Sequence, residues 1–365
     1  MYLYLIFIAL VFFSCLETMK VRIKKLPYFH NTIFWIFIFT FFFLSTFRWE
    51  RGTDWDPYYM YYLMQYHITC KGYMEPGFTF LTSVNSTLFN YTTQLGSVAF
   101  LSIIPIALSY RRFSPFPILA LLIWFSTSLG HIFPVRQSIA IALYVFSWKY
   151  IHERNFKLFI VTILIATTFH FTAIIAIPTF FIWNKIFSKH FFIYTIVILS
   201  LFSLLVEEHI IGVIYGLFGG GIQEKLEVYL GSPDETFGSA YSASQILIRG
   251  IINRSLFFFI SLILLDGVRK TDSRLNAFIN LYFYSFCLFL LLTPLSPALG
   301  RFCSYTDMAQ SIIIPYIFQY RIKTKLNFYL LYIIIIGYFC LRFKGVVHNY
   351  YDLYIPYNSV FSSNK

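Results

Sequence analysis

The residues best equipped for chemistry are few, and they stand at the margins of apolar runs. In HIFPVRQSIAIALYVFSWKYI, residues 131–151, Arg136 falls one turn inside what reads as a membrane helix. Arginine is among the costliest side chains to place in lipid. Pro134 suits a helix start, because its missing N–H is not needed there. Arg136 then lies among the free backbone N–H groups of a first turn, which favour anions and oppose a cation. That is poor helix design and a good anion site. His131 precedes it and Gln137 follows, and Arg136, Ala140 and Tyr144 share a face by i, i+4 spacing. The competing reading is an arginine paired with a lipid phosphate.

Three further stretches qualify. In ATTFHFTAIIAIPTFF (166–181), Thr167, Thr168, His170 and Thr172 form a polar knot between apolar runs. His170 is either a base or positioning donor, or a core histidine satisfied by a hydroxyl or a carbonyl. In SPALGRFCSYTDMAQSIIIPYIF (296–318), helical spacing puts Arg301, Ser304, Met308 and Ser311 on one face, with Asp307 bordering it and Tyr305 alongside. Ionisable groups inside a span normally face the protein interior or a wet cavity. Arg301 and Asp307 are thus a structural pair, or Arg301 lines the same cavity as Arg136. RWERGTDWDPYYMYY (48–62) sets Arg51, Asp54 and Asp56 among Trp49, Trp55, Tyr58 and Tyr59. This is an interfacial aromatic belt or a surface for sugars, whose C–H faces suit rings and whose hydroxyls suit acids. NYYDLYIPY (349–357) has the same flavour. There is no phosphate-binding glycine loop and no zinc spacing, and FGGGI (218–222) does not fit the dinucleotide pattern.

These residues need elements to hold them, and the composition says which. The 365-residue chain is 58% hydrophobic and 12% charged, with 45 Phe and 29 Tyr. Apolar stretches of span length recur throughout. The expected fold is all-α, a single polytopic membrane domain over 1–365 with about twelve transmembrane helices, between ten and fourteen. The expected spans lie near 2–18, 29–47, 93–109, 115–130, 135–151, 158–169, 171–183, 191–206, 246–265, 277–293, 302–319 and 327–343. The short runs 158–169 and 171–183 read as a broken or re-entrant pair, and 76–90 is polar enough to lie at the interface. Lys and Arg place loop 20–27 and the basic loops after it in the cytoplasm. The long loops 48–75 and 207–245 then lie outside, and the second is acidic. The first helix is retained, because its positive charges follow the apolar run and a cleavable signal has them before it.

The net charge of +12 invites nucleic acid as a partner. The basic residues are scattered through short loops, so no groove can form, and that class is excluded. Five cysteines without metal spacing argue against both a metal site and a disulfide framework. The inside loops mix Lys with Arg, whereas the outer helix ends carry mostly Arg: Arg48, Arg51, Arg136, Arg249, Arg254, Arg301 and Arg342. Guanidinium binds phosphate in a planar, bidentate way that lysine cannot copy. The outer mouth therefore suits a phosphorylated or otherwise anionic ligand. For Arg48, Arg249, Arg254 and Arg342, snorkelling to lipid headgroups is an equal reading.

RGTDWDPYY, MEPGFTFL, FPVRQSIAIALYVFSWKYI followed by RNFK, ATTFHFTAIIAIP and GRFCSY occur in this order. The ordered set resembles the EpsG-like branch of the Wzy-type bacterial polysaccharide polymerases, over about 48–320. The resemblance implies an inner-membrane glycosyltransferase with its site facing the periplasm. It would join undecaprenyl-pyrophosphate-linked repeat units into O-antigen, capsule or exopolysaccharide, without a cofactor or metal. Its partners would be those lipid-linked glycans and membrane lipid, and it allows a chain-length regulator. On this reading Arg136 and Arg301, with Arg51 in support, stabilise the leaving pyrophosphate. Asp54 or His170 accepts the proton of the attacking hydroxyl. Gln137, Tyr305 and Trp55 bind substrate. The rivals are a flippase for the same lipid-linked sugar, a membrane glycan ligase, another membrane transferase such as an acyltransferase, and a structural component of an assembly complex. A flippase predicts internal repeats and charge along a cavity's depth, and neither is evident in the sequence.

Overall fold

The computed structural model describes residues 2–19, 28–65, 74–205, 242–295, 297–321 and 325–362. The basic loop 20–27 and nearly all of the acidic loop 207–245 lie outside the described residues. Helix dominates, and the described residues hold one isolated bridge, Arg48 to Ser359, in place of any strand. Buried apolar helices satisfy their own backbone, which a lipid environment requires. Among the described residues, five helices are long and apolar enough to cross a membrane: Phe29–Thr46, Tyr91–Phe113, Ser244–Arg269, Ser273–Leu292 and Asn327–Asn349. Five shorter apolar helices accompany them, so the expected count of twelve full-length spans is met only in part. The chain forms two compact units, Met1–Phe180 with Ile314–Lys365, and Phe181–Ile313.

The first unit holds α1 (Tyr2–Thr18), α2 (Phe29–Thr46), α3 (Trp55–Met64), α4 (Pro76–Leu88), α5 (Tyr91–Phe113), α6 (Pro117–Ser128), α7 (Arg136–His152) and α8 (Phe156–Phe169). Helix α5 packs along α7, α7 along α8, α2 along α5, and α1 along α6. Ser109 ties α5 to α7 by donating to the Val145 carbonyl at 3.0 Å.

Polar contacts sort the helix ends. At one end the buried Glu17 carboxylate accepts from the N–H groups of Ile118 and Leu119 at 2.9 and 3.1 Å. These are orphan donors of the α6 first turn, so a carboxylate from α1 caps a different helix. Arg112 and Glu153 pair nearby at 2.7 Å, joining the C-terminal ends of α5 and α7. Arg111, Arg112 and Arg154, from two of the basic loops assigned to the cytoplasm, lie at this end. The N-termini of α5 and α7, the C-terminus of α2 and the 47–54 loop gather at the other end, where Gly96 meets Thr46 and Trp55 meets Tyr91.

Two uncertain segments resolve here. The polar stretch 76–90 forms α4. Its 13 residues make a helix of about 20 Å at 1.5 Å per residue, short of the roughly 30 Å hydrocarbon core. Its polar groups are matched inside the unit: Thr79 with Tyr61 at 2.8 Å, Thr82 with Gln94 at 3.0 Å, and Asn85 with the Leu81 carbonyl at 2.9 Å. The pair 158–169 and 171–183 is broken as expected. Helix α8 ends at Phe169, the chain turns at His170, and it returns through the 3-10 turn Phe171–Ala176. Phe180 is thereby brought back to the start of α8, where its carbonyl accepts from Arg154 at 3.0 Å and its ring meets Phe156.

The second unit holds α9 (Lys189–Leu205), α10 (Ala243–Arg269) and α11 (Ser273–Leu292). Buried Asn276 and Asn280 donate to the Lys185 carbonyl at 2.8 and 2.7 Å, tying α11 to the turn before α9. The expected span 302–319 is not one helix. A 3-10 segment, Pro297–Cys303, leads into the short turn Ser304–Asp307, and regular helix resumes at Gln310. The N–H groups of Ala309, Ser311 and Ile312 bond to carbonyls three residues back, at 3.1, 3.2 and 3.0 Å. The tighter pitch shears the stripe, so Arg301, Ser304, Met308 and Ser311 do not share one α-helical face.

The Glu17 cap gives a test of the first unit. Glu17→Ala orphans two buried N–H groups, worth about 1–3 kcal/mol each, and should lower the melting temperature of the purified protein in detergent. Glu17→Gln, which keeps an acceptor oxygen, should lose less.

Candidate functional site

Helix α7 begins at Arg136 itself, with Val135 as the preceding cap residue, and Ser138 closes the turn by accepting from the Val135 N–H at 3.1 Å. Arg136 thus stands at the helix head, as its sequence context implies. Its backbone N–H and its Nε both donate to the Tyr58 hydroxyl, at 3.2 and 3.4 Å. Its Nη1 donates to Glu75 in an ion pair. The side chains of Arg136 and Glu75 are 26% and 21% exposed, so the pair is shielded yet reachable. A guanidinium has five N–H donors; two side-chain bonds leave some for a ligand.

Glu75 is the residue that reading the sequence missed. It precedes Pro76 and Gly77 at the α4 start, where an acid looks like a response to the helix dipole. It makes no capping hydrogen bond, and its carboxylate reaches across to α7. The signal lay in MEPGFTFL, where an acid stands beside a helix-starting proline, but nothing local names its partner. Gly77 allows the arrangement. A Cβ there would come within 2.3 Å of the Thr168 hydroxyl, so only glycine lets the α4 start lie against the end of α8. The first turn of α4 therefore touches both Arg136 and the threonine–histidine knot. Within the knot His170 pairs with the Thr172 hydroxyl at 2.5 Å, the partner that the structural alternative for this histidine expects. Tyr61, Phe78, Val98 and Ile139 pack beneath, with Tyr58 and Phe169 against them.

The 48–62 motif forms the neighbouring wall. Asp54 occupies the cap position of α3 without making a capping bond, so its carboxylate is not committed to the helix. Trp55 is buried against Tyr91, Tyr62 and Leu95, with Trp49 and Tyr59 around them. Burial, then the Asp54 charge, raises the Tyr58 phenol above its ordinary value, while Arg136 opposes this. Tyr58 accordingly serves as a neutral hydroxyl.

Arg48 departs from the snorkelling alternative. It is 4% exposed, with its guanidinium over Trp55 at 5.9 Å and Phe133 at 5.7 Å. Its Nε has no hydrogen-bond partner, and no carboxylate pairs with it among the described residues. Burial draws it below the usual guanidinium range, against the phenols of Tyr91, Tyr58, Tyr354 and Tyr357. Cation–π contacts contribute about 0.5–2 kcal/mol each, less than the several kcal/mol that desolvating an ion costs. The C-terminal segment encloses this loop. The Trp49 N–H donates to the Asn358 carbonyl at 2.9 Å and the Gly52 N–H to the Leu353 carbonyl at 3.1 Å. Arg51 donates to the Asp352 carbonyl at 2.7 Å. Gly52 has φ +111°, a conformation that favours glycine, and a Cβ there would lie 3.0 Å from Arg48 Nη1.

Of the candidate residues, Arg136, Gln137, His170, Arg51, Asp54 and Trp55 belong to the first unit, with Gln137 half-buried beside Arg136. Arg301 and Tyr305 belong to the second. There Arg301 is exposed and Tyr305 fully buried. Asp307, a possible partner for Arg301, pairs with Arg254 and accepts from Ser285 at 2.5 Å. Arg254 also lies over the Phe289 ring at 4.2 Å, so this arginine too is an internal group. No cluster of three or more metal-ligating side chains occurs among the described residues. An open groove of about 570 Å³, lined by Phe42, Thr46, Leu81, Gly96, Phe100 and Leu101, runs beside α2, α4 and α5. Leu81 and Leu101 also border the cluster under Tyr58.

Neither a curated protein nor a solved structure matches the chain. A family associated with polysaccharide polymerase-like proteins does match, over residues 31–359. That range takes in the 48–62 motif, the Glu75–Arg136 pair, the histidine knot and the tail that encloses Arg48. This apolar, helical membrane protein, built around a shielded arginine–carboxylate pair, belongs to the EpsG family.

Proposed function

We propose that the protein is a polymerase of lipid-linked oligosaccharides, acting at the outer face of the bacterial inner membrane on undecaprenyl-pyrophosphate-linked repeat units. The observation that carries this reading is the Arg136–Glu75 pair with Tyr58, a cation and a carboxylate held together at the end of the unit opposite the Arg112–Glu153 pair. An acceptor hydroxyl attacks the donor's anomeric carbon. The new C–O bond forms as the bond to the lipid pyrophosphate breaks, and the leaving oxygen takes the electron pair. Arg136 meets the charge that gathers on that pyrophosphate. The hydroxyl proton passes to a carboxylate, and Glu75 takes this role ahead of Asp54 and His170, because it alone is held against Arg136. Trp55 and its neighbouring rings offer faces for sugar, with Gln137 as a polar contact beside Arg136. The groove beside α2, α4 and α5 suits an isoprenoid chain, since it is apolar and borders the cluster under Tyr58. A chain-length regulator is a compatible partner.

Deleting the gene in its host and separating surface polysaccharide on a gel tests the activity. The expected result is single repeat units with no ladder, and a ladder restored by wild type. Rescue by Arg136→Ala should fail; full rescue, with unchanged chain length, would remove Arg136 from the site. Polymer that is still made but stays on its carrier would instead indicate a ligase. Loss of even single units from the outer face would indicate a flippase.

The pair itself gives a second test. Glu75→Gln should lower polymer formation roughly 10²–10⁴-fold, the usual range for a general base, with the protein still folded. The exchange Arg136→Glu with Glu75→Arg should restore the melting temperature without restoring the ladder. Restoration of both would mean that the pair is only structural.

A further inference from the structure

The second cationic feature of the outer end is the loop around Arg48. Its guanidinium is buried between Trp55 and Phe133, its Nε lacks a partner, and no described carboxylate pairs with it. Arg51, three residues on, also has a buried Nε without a partner and spends one terminal nitrogen on the Asp352 carbonyl. Arg136 differs, because Glu75 already balances it. The Tyr58, Tyr91 and Tyr354 phenols lie near Arg48, and their hydroxyls can donate to an anion, whereas Tyr357 donates to the Leu44 carbonyl at 3.1 Å. Asp54 lies near Tyr58 and Tyr354 without pairing with Arg48. A buried cation set among aromatic rings, and paired with no acid among the described residues, is suited to an anion that arrives as a ligand. Guanidinium geometry favours a planar or tetrahedral oxyanion, and phosphate above all.

We propose that Arg48 and Arg51, enclosed by the 352–359 tail, form a second phosphate-binding subsite, separate from Arg136, for the phosphate or pyrophosphate group of a lipid. The naming of that lipid rests on the polymerase reading, in which two carrier-linked chains each bring a pyrophosphate. Arg136 then serves one chain and the Arg48 loop the other. The binding itself does not depend on that reading.

The test is thermal melting of the full chain in phosphatidylcholine nanodiscs, titrated with farnesyl pyrophosphate, with inorganic pyrophosphate and with farnesol. Farnesyl pyrophosphate should raise the melting temperature and farnesol should not. Arg48→Met should weaken the half-saturating concentration by about tenfold or more, the loss expected for a charged hydrogen bond. Without ligand it should melt at or above wild type, since methionine covers Trp55 and Phe133 without an uncompensated charge. If Arg48→Met melts lower without ligand and binds as wild type does, Arg48 is structural and the proposal falls. It also falls if binding is lost in Arg136→Ala and kept in Arg48→Met. Should Arg48→Met not fold, Arg51→Gln carries the test: weaker binding supports the subsite, and unchanged binding overturns it. Nanodiscs containing phosphatidylglycerol identify the source. If they raise the melting of wild type and not of Arg48→Met without added pyrophosphate, the phosphate of an anionic lipid headgroup fills the subsite. Loss of the ladder on deletion and its return with wild type test the polymerase reading separately from these outcomes.

Discussion

A polar group that enters an apolar helical bundle must find its partner inside the protein, because hydrocarbon offers none. The packing of this chain follows from that demand. Glu17 caps α6 from α1, Asn276 and Asn280 hold the turn before α9, and Ser109 reaches from α5 to a carbonyl of α7. In each case a contact distant in sequence joins two elements whose apolar faces would otherwise slide. Hydrophobic packing is non-directional; these bonds set the register.

The same demand governs the candidate site. An arginine at the head of α7 opposes the helix dipole, and Glu75 and Tyr58 answer it from α4 and α3. That need brings the short helices α3 and α4 over the end of the bundle. Gly77 then permits contact with α8, so the histidine knot joins the same assembly. The arrangement offers a cation and a carboxylate side by side within reach of solvent. Arg48 answers the demand incompletely. Its aromatic cage desolvates it and supplies no charge, so the loop holds a preorganised cation.

Local pattern determined much of this protein. Length and apolarity mark the helices, since these depend only on neighbouring residues. Arg136 at a helix start was legible through Pro134, and the broken pair near His170 through its shortness. Tertiary structure decided the rest. The partner of Arg136 lies 61 residues away on another helix, and no spacing rule links Glu75 to it. The burial of Arg48 depends on a tail some 300 residues later, so its local context reads as a surface arginine. The stripe at 301–311 failed for a related reason: helical spacing presumes an α pitch, whereas the backbone there tightens to 3-10 bonds. Periodicity reads elements because they repeat; partners that converge from separate elements do not repeat, and only the packed chain shows them.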